Sequence, residues 1–205
     1  MEYTKIVEKI IYKILSWYKG KKVLTYEKDR NNKKWKFEQL FVENFLRKNL
    51  DVTSVIDVPI GTNRFGKIID QCPNIQSFIG IDLSDDMLNF AKLKNDKKLV
   101  LKKKDIINER CEDRADLIII LRMLNLFETK ISLKIIENLL SLSKKYCIAT
   151  LRHDQKHYVI ENKIHVQPIE EFKEKIISLG YNYKINNFED NRKGTFSILL
   201  IEKKK

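Results

Sequence analysis

Cysteine is scarce in this chain: Cys72, Cys111 and Cys147 are all there is in 205 residues. The count is odd and the spacing is not that of metal ligands, so the expectation is reduced, mostly structural thiols in a cytoplasm and no metal centre. Long apolar runs are missing too. Leu117 to Leu121 is short and reads as a buried parallel strand, so no membrane association is expected. Nor does the N-terminus read as a signal peptide, because Glu2, Lys5 and Glu8 interrupt its apolar residues. Alanine occurs only at Ala91, Ala115 and Ala149, while Lys, Ile and Asn are abundant. That skew bears on the net charge of +12. Basic surfaces attract phosphate backbones. Here, however, the lysines are scattered, and no basic stripe carries the interleaved aromatics that single-strand binders use. The charge is read as compositional; it favours acidic partners and leaves nucleic acid open as one.

What the chain does contain is concentrated after residue 50. Val55-Ile56-Asp57-Val58-Pro59-Ile60-Gly61 is a β-branched run ending in a carboxylate, followed by a turn with glycine and then a helix start. A mononucleotide-binding half begins this way, with a buried parallel strand delivering a tight loop to the crevice above the sheet. Gly61 lets the backbone come close to a ligand, with the loop's amides facing it. Phe78-Ile79-Gly80-Ile81-Asp82 is a second strand ending in an acid, where a ribose hydroxyl pair is usually held. The dinucleotide fingerprint G-x-G-x-x-G fails at Pro59 and Arg64. A P-loop is missed by one residue over Gly61 to Ile68, because Ile68 has no hydroxyl for Mg²⁺.

Asp57-Val58-Pro59-Ile60-Gly61-Thr62-Asn63-Arg64-Phe65 follows a D-x-P-x-G-T-G-R-F variant, and Gly80 to Leu88 follows G-x-D-x-S-x-x-M-L. With Lys104-Asp105-Ile106 after a third strand and Asp116 to Asn125 around a fourth, the chain from about Asp51 to Lys203 resembles the class I S-adenosylmethionine-dependent methyltransferases. The resemblance implies S-adenosylmethionine as cofactor. Gly61 and its neighbours Pro59, Thr62, Asn63 and Arg64 would take the methionine end, with Asp57 acting directly or by ordering the loop. Asp82 would bind the ribose hydroxyls, and Asp105 and Ile106 the adenine. Leu83, Met87 and Leu121 complete the implied cofactor contacts. Strand-end capping is the alternative role for Asp57 and Asp82. Of three motif glycines only Gly61 remains. Asn63 tolerates φ > 0 and so preserves the turn, but its side chain is expected where the cofactor's carboxypropyl group lies.

Periodicity supplies the elements. Helices are expected at Tyr3 to Tyr18 and Trp35 to Lys48, with a polar connection at Lys21 to Lys34 between them. Ser84 caps a helix to about Leu93, and further helices cover Ile131 to Leu142 and Ile169 to Leu179. Strands follow near residues 55–58, 78–82, 99–101, 117–121 and 146–151, then a hairpin of Asn182–Phe188 with Gly194–Glu202. The expected fold is α/β: a Rossmann-like, doubly wound, mostly parallel seven-stranded sheet with a C-terminal antiparallel hairpin and an N-terminal helical extension. It forms one domain, with residues 1–50 as extension or lid and 51–205 as the cofactor-binding core. Tyr26 and Trp35 are the lid candidates.

Methyl transfer needs alignment and exclusion of water, and a base only where the acceptor is protonated. Acceptor contacts are expected from the loops after strands four and five. Those loops hold Arg122, Met123 and Asn125, then Arg152, His153 and Asp154. All three histidines (His153, His157 and His165) lie in one stretch, so His153 is the candidate base, with Asn125 and Arg122 as further catalytic candidates. His153 and His157 are four apart, but no third metal ligand is evident. The [DNS]-P-P-[YFW] block of nucleic-acid amino-methyltransferases is absent, as is a Pro-Cys nucleophile. The favoured reading is an enzyme of class EC 2.1.1.- methylating an O or N atom of a small-molecule or glycan-like acceptor. An RNA substrate and a non-catalytic, regulatory relative that binds the cofactor stay open, as does the oligomeric state.

Overall fold

The structure is a computed structural model describing residues 15–16, 19–30, 36–94, 96–109, 111–152, 165–190 and 194–204. Its centre is a seven-stranded sheet. The strands are β1 (Ser54–Asp57), β2 (Ser77–Asp82), β3 (Leu99–Lys103), β4 (Ala115–Ile120), β5 (Ser143–Arg152), β6 (Tyr181–Asp190) and β7 (Gly194–Lys203). Their order is β3-β2-β1-β4-β5-β7-β6. The first five run parallel, while β7 is antiparallel to both β5 and β6. Sequence order reverses between β1 and β4, which opens a crevice above their carboxyl ends.

The pattern of β-branched residues explains why the sheet is covered on both faces. Every residue of β4, Ala115-Asp116-Leu117-Ile118-Ile119-Ile120, is buried. Val55, Leu117, Ile119, Ile148 and Ile198 point to one face, against α2 (Lys36–Lys48) and α3 (Gly66–Asp70). Ile56, Ile118, Ile120, Leu199 and Ile201 point to the other, against α5 (Thr129–Leu142) and α6 (Ile169–Ser178). The side-chain period of two sends alternate residues into two separate apolar layers. Truncating any of these to alanine costs about 2–5 kcal/mol. α4 (Asp85–Lys92) joins β2 to β3, with Ser84 as N-cap accepting from the Met87 N–H at 3.3 Å. No helix among the described residues is long and apolar enough to cross a membrane.

One element departs from expectation. Lys21–Arg30 is helix α1, not a polar connection. Its residues are mostly good helix formers, and among its described side chains only Val23 is buried. With one apolar anchor it shows almost no amphipathic pattern, which is why periodicity does not find it. Docking holds it instead, through the Glu27–Lys94 ion pair at 2.9 Å and, just before the helix, the Gly20 N–H on Asp86 at 3.1 Å. Of the helix expected over Tyr3 to Tyr18, Leu15 and Ser16 are helical. Residues 1–14 and 17–18, Trp35 and residues 153–164 lie outside the described residues.

Candidate active site

The loop after β1 is tied to the tip of β2. The Ile60 N–H donates to the Ile81 carbonyl at 2.9 Å, and a Cβ on Gly80 would run into the Ile60 side chain. Gly80 therefore makes room for the loop to lie against its neighbour strand. Gly61 follows at φ +55°, a conformation glycine adopts without penalty, and its N–H donates to Asp82 Oδ2 at 2.9 Å. The other oxygen, Oδ1, accepts from the Ser84 N–H at 3.0 Å. One carboxylate thus pins the loops after β1 and β2 together. Burial pushes the Asp82 carboxyl up, while the backbone N–H groups of Ser84, Gly61 and Leu83 pull it back down. The capping role is realised, and Asp82 also lines the cavity above.

That cavity encloses about 820 Å³ of empty space, counting its open mouth. Pro59, Gly61, Asp82, Leu83, Met87, Asp105, Ile106 and Leu121 all border it, as do Tyr26 and Arg122. Asp105 also shapes its own turn, with Oδ1 accepting from the Ile107 N–H at 3.0 Å. Tyr26 of α1 covers the glycine turn: its hydroxyl oxygen would sit 3.6 Å from a Cβ at Gly61. A smaller hollow next to this one is lined by Asp57, Thr62 and Arg64. Asp57 is buried there, and desolvation pushes its carboxyl up to about 8 against the opposing pull of the Arg64 guanidinium.

One loop residue behaves differently from expectation. Asn63 does adopt φ +56°, preserving the turn. Its side chain, however, turns away from both hollows and hydrogen-bonds Asp96. The expected intrusion into the carboxypropyl position is therefore not seen. At the position where a P-loop carries its hydroxyl, Ile68 is buried on α3.

The other half of the crevice is built from side chains. Arg122, just after β4, has φ +63°, a strained value for a non-glycine residue, and its N–H donates to Thr150 Oγ1 at 2.7 Å. Its guanidinium meets Glu38, and Arg64 reaches the same carboxylate at 3.0 Å. Glu38 is fully buried on α2. Sequence reasoning missed it, yet a signal existed: Glu38, Val42, Phe45 and Leu46 follow the i, i+4, i+7, i+8 spacing of a buried face. An acid on that stripe needs a cation opposite it. Phe196 pairs in register with Arg152 on one side and Phe188 on the other. Both Arg122 and Arg152 lie over the Phe196 ring, at 4.1 and 4.4 Å from its centroid, and Phe37 stacks on Phe188 at 4.5 Å.

Asn125 does not border the cavity. Its amide donates to the His165 and Arg152 carbonyls at 3.1 and 3.4 Å, fastening the chain beyond β5. His165 is on that returning segment, its N–H donating to the Asn125 carbonyl at 2.7 Å. His153, the candidate base, and His157 lie outside the described residues.

No protein-family model and no curated protein sequence matches the chain. Solved structures do. Magnesium protoporphyrin IX methyltransferase (ChlM) from Synechocystis PCC 6803, with bound SAH, aligns with a TM-score of 0.69 and 11% identity over 93% of this chain and 98% of its own. A DhpI–SAM–HEP complex gives 0.71 and 13% over 94% and 97%. An S-adenosylmethionine-dependent methyltransferase from Clostridium acetobutylicum ATCC 824 gives 0.66 and 15% over 89% and 98%. The likeness at these identities is one of fold: the chain has the class I methyltransferase fold, with its mostly parallel seven-stranded sheet and C-terminal antiparallel hairpin.

Proposed function

We propose that this chain is an S-adenosylmethionine-dependent methyltransferase acting on an O or N atom of a small-molecule or glycan-like acceptor. The observation that carries the reading is the Asp82 carboxylate bridging the Gly61 and Ser84 amides at the rim of a cavity over the β1–β4 switch point. The residues present fit the cofactor. A hollow bordered by Met87, Asp105 and Ile106 suits an adenine, with Asp82 next for the ribose hydroxyls. Gly61 leaves the space before Tyr26 free of a Cβ, where the methionine end would run towards Asp57, Thr62 and Arg64. Pro59, Asn63, Leu83 and Leu121 shape the walls or the loop behind them. When bound, the cofactor supplies a methyl group on a sulfonium, whose S–CH₃ bond breaks as the acceptor's O–CH₃ or N–CH₃ bond forms.

The protein's part is to align and to exclude water. Tyr26 and the rest of residues 1–50 act as the lid over the core of residues 51–205. Arg122 faces the cavity from the acceptor side, and Asn125 is a positioning residue that holds the chain leading back from residues 153–164. His153, in that segment, is the base for an acceptor that arrives protonated. The cysteines are free thiols, which suits a cytoplasmic location. Calorimetric titration with S-adenosylmethionine, S-adenosylhomocysteine and Mg-ATP tests the reading. Micromolar binding of the first two with ATP silent is expected. Binding of ATP alone, or silence from all three, refutes it.

A further inference from the structure

We propose that Glu38 is a positioning residue for the cofactor: it sets the Arg64 guanidinium at the hollow beyond Gly61, where that guanidinium takes the carboxylate of the cofactor's amino-acid end. The inference rests on the methyltransferase reading, which brings the methionine end to this hollow. It gives a helix before residue 51 a part in the site itself. Three observations carry it.

First, the hollow has a cation in its wall. It encloses about 350 Å³ of empty space, counting its open mouth, and Asp57, Thr62 and Arg64 border it. Tyr26, Pro59 and Leu121 border both this hollow and the larger cavity, so the two spaces adjoin. Among the described lining residues Arg64 is the cation. Its charge reaches Asp57 in the same wall, pulling that carboxyl down against burial. An amino-acid end brings a carboxylate, and a guanidinium is the side chain that reads a carboxylate in a fork.

Second, Arg64 is held in place without a ligand. Its Nη1 donates to Glu38 Oε2 at 3.0 Å, and its guanidinium carbon lies 4.7 Å from the Phe65 ring centroid. Glu38 is fixed in turn by α2, on the stripe it shares with Val42, Phe45 and Leu46, which are packed in the core. Its side chain is fully enclosed, whereas 17% of the Arg64 side chain stays exposed and within a ligand's reach. The pair with Glu38 engages Nη1, and a guanidinium carries N–H groups along more than one edge of its plane. A long side chain that is already immobilised loses little freedom when a ligand binds it.

Third, the same carboxylate also meets the guanidinium of Arg122, which borders the larger cavity. One acid on α2 therefore sets an arginine at each of two adjoining spaces. A carboxylate beside Arg64 lessens the pull of that guanidinium on a second anion. Orientation outweighs this loss, because a hydrogen bond weakens steeply with misalignment while the attraction between two charges does not depend on angle.

The test is calorimetric titration with S-adenosylhomocysteine and with its decarboxylated amine analogue, which lacks only the carboxylate. The ratio of the two affinities reads carboxylate recognition, and damage that weakens both ligands alike leaves it unmoved. Wild type is compared with Arg64→Gln, Arg64→Lys, Glu38→Asp and Glu38→Gln. Wild type is expected to favour S-adenosylhomocysteine by about tenfold or more, the scale of a charge-assisted hydrogen bond. Arg64→Gln should remove most of that preference, and Arg64→Lys, which keeps the charge but not the fork, should retain part of it. Glu38→Asp keeps the charge and draws the carboxylate back by one methylene, so a preference lowered there by about threefold or more isolates positioning. Glu38→Gln carries the test if Glu38→Asp does not fold. Positioning predicts a smaller preference in it than in wild type, whereas a charge that merely competes with the ligand predicts a larger one. A preference that is equal in wild type and Arg64→Gln, or undiminished in a folded Glu38 variant, overturns the proposal. Wild type that binds neither ligand refutes the methyltransferase reading and the proposal with it, whereas an unmoved ratio in variants that bind both refutes the proposal alone.

Discussion

The two halves of the crevice are built on different principles. On the β1–β2–β3 side, the contacts are short-range in space and backbone-rich: a glycine turn, a carboxylate accepting from two main-chain amides, a Ser cap, an Asp-capped turn. On the β4–β5–β7 side they are made between side chains from five distant segments, with Glu38, Arg64, Arg122 and Arg152 converging around Phe37 and Phe196. A backbone cradle asks for particular residue types at fixed local offsets, so it is written as a motif. A charge cluster asks only that opposite signs meet after folding, so it leaves no local trace. The difference predicts that substitutions on the first side act locally and modestly, whereas those on the second propagate through the network.

The sharpest way to break that contrast is Glu38→Ala. It leaves Arg64 and Arg122 largely buried without the carboxylate that bridges them, and removing one partner of such a pair costs about 3–5 kcal/mol. Urea denaturation measures this. Asp51→Ala is the control, because its 3.1 Å pair with Lys145 is solvent-exposed and should cost under about 1 kcal/mol. Equal small losses for the two variants would mean that the β4–β5–β7 side is not held by its ion network.

Asp57 sits where the two halves meet, and its effect should appear as a pH dependence. Its carboxyl is raised from 3.8 to about 8, so between those values the folded protein keeps a proton that the unfolded chain releases. This group's contribution to stability therefore falls as pH rises from about 4 to 8 and is level outside that window. Asp57→Asn removes the slope. Relative to wild type it should gain about 3 kcal/mol between pH 5 and 7.5, at 1.36 kcal/mol per pH unit. Parallel slopes for the two proteins over that range would show that Asp57 is ionised despite its burial.

The same contrast explains what could be read before folding. The mostly parallel sheet, the hairpin, the Ser84 cap and the cavity positions of Gly61, Asp82, Met87 and Asp105 follow from local patterns and short motifs. Helix α1 did not, because a helix with Val23 as the one buried residue among its described side chains is stabilised by docking and not by its own pattern. Asn125 offered a polar side chain after β4 but gave no sign that it would fasten two carbonyls rather than face the cavity. Glu38 was legible only as an acid on an apolar stripe. Its partners, 26 and 84 residues away, were not.

A smaller effect is expected at Gly80. A methyl there meets the Ile60 side chain, so Gly80→Ala should cost about 1–3 kcal/mol by overpacking and weaken cofactor binding by displacing the Gly61 loop. Ile60→Val removes the δ-methyl in the way, and the double variant Gly80→Ala/Ile60→Val should recover most of both losses. A double variant as weak as the single one would place the strain elsewhere than in that contact.

The smallest effect should come from restoring the missing motif glycine. Asn63→Gly relieves a non-glycine residue at φ +56°, a gain of under about 1 kcal/mol, and forfeits the Asn63–Asp96 hydrogen bond, a loss of about the same size. Stability should therefore change by less than about 1 kcal/mol. Because the Asn63 side chain is turned away from both hollows, affinity for S-adenosylmethionine should move by less than about threefold, well under the tenfold that 1.4 kcal/mol brings. A much tighter complex in the glycine variant would mean that the asparagine swings into the cofactor's place when ligand arrives, and that the departure from the motif is a brake on binding. An unchanged complex would mean that the cradle depends on the backbone shape at residue 63, which asparagine and glycine can both supply.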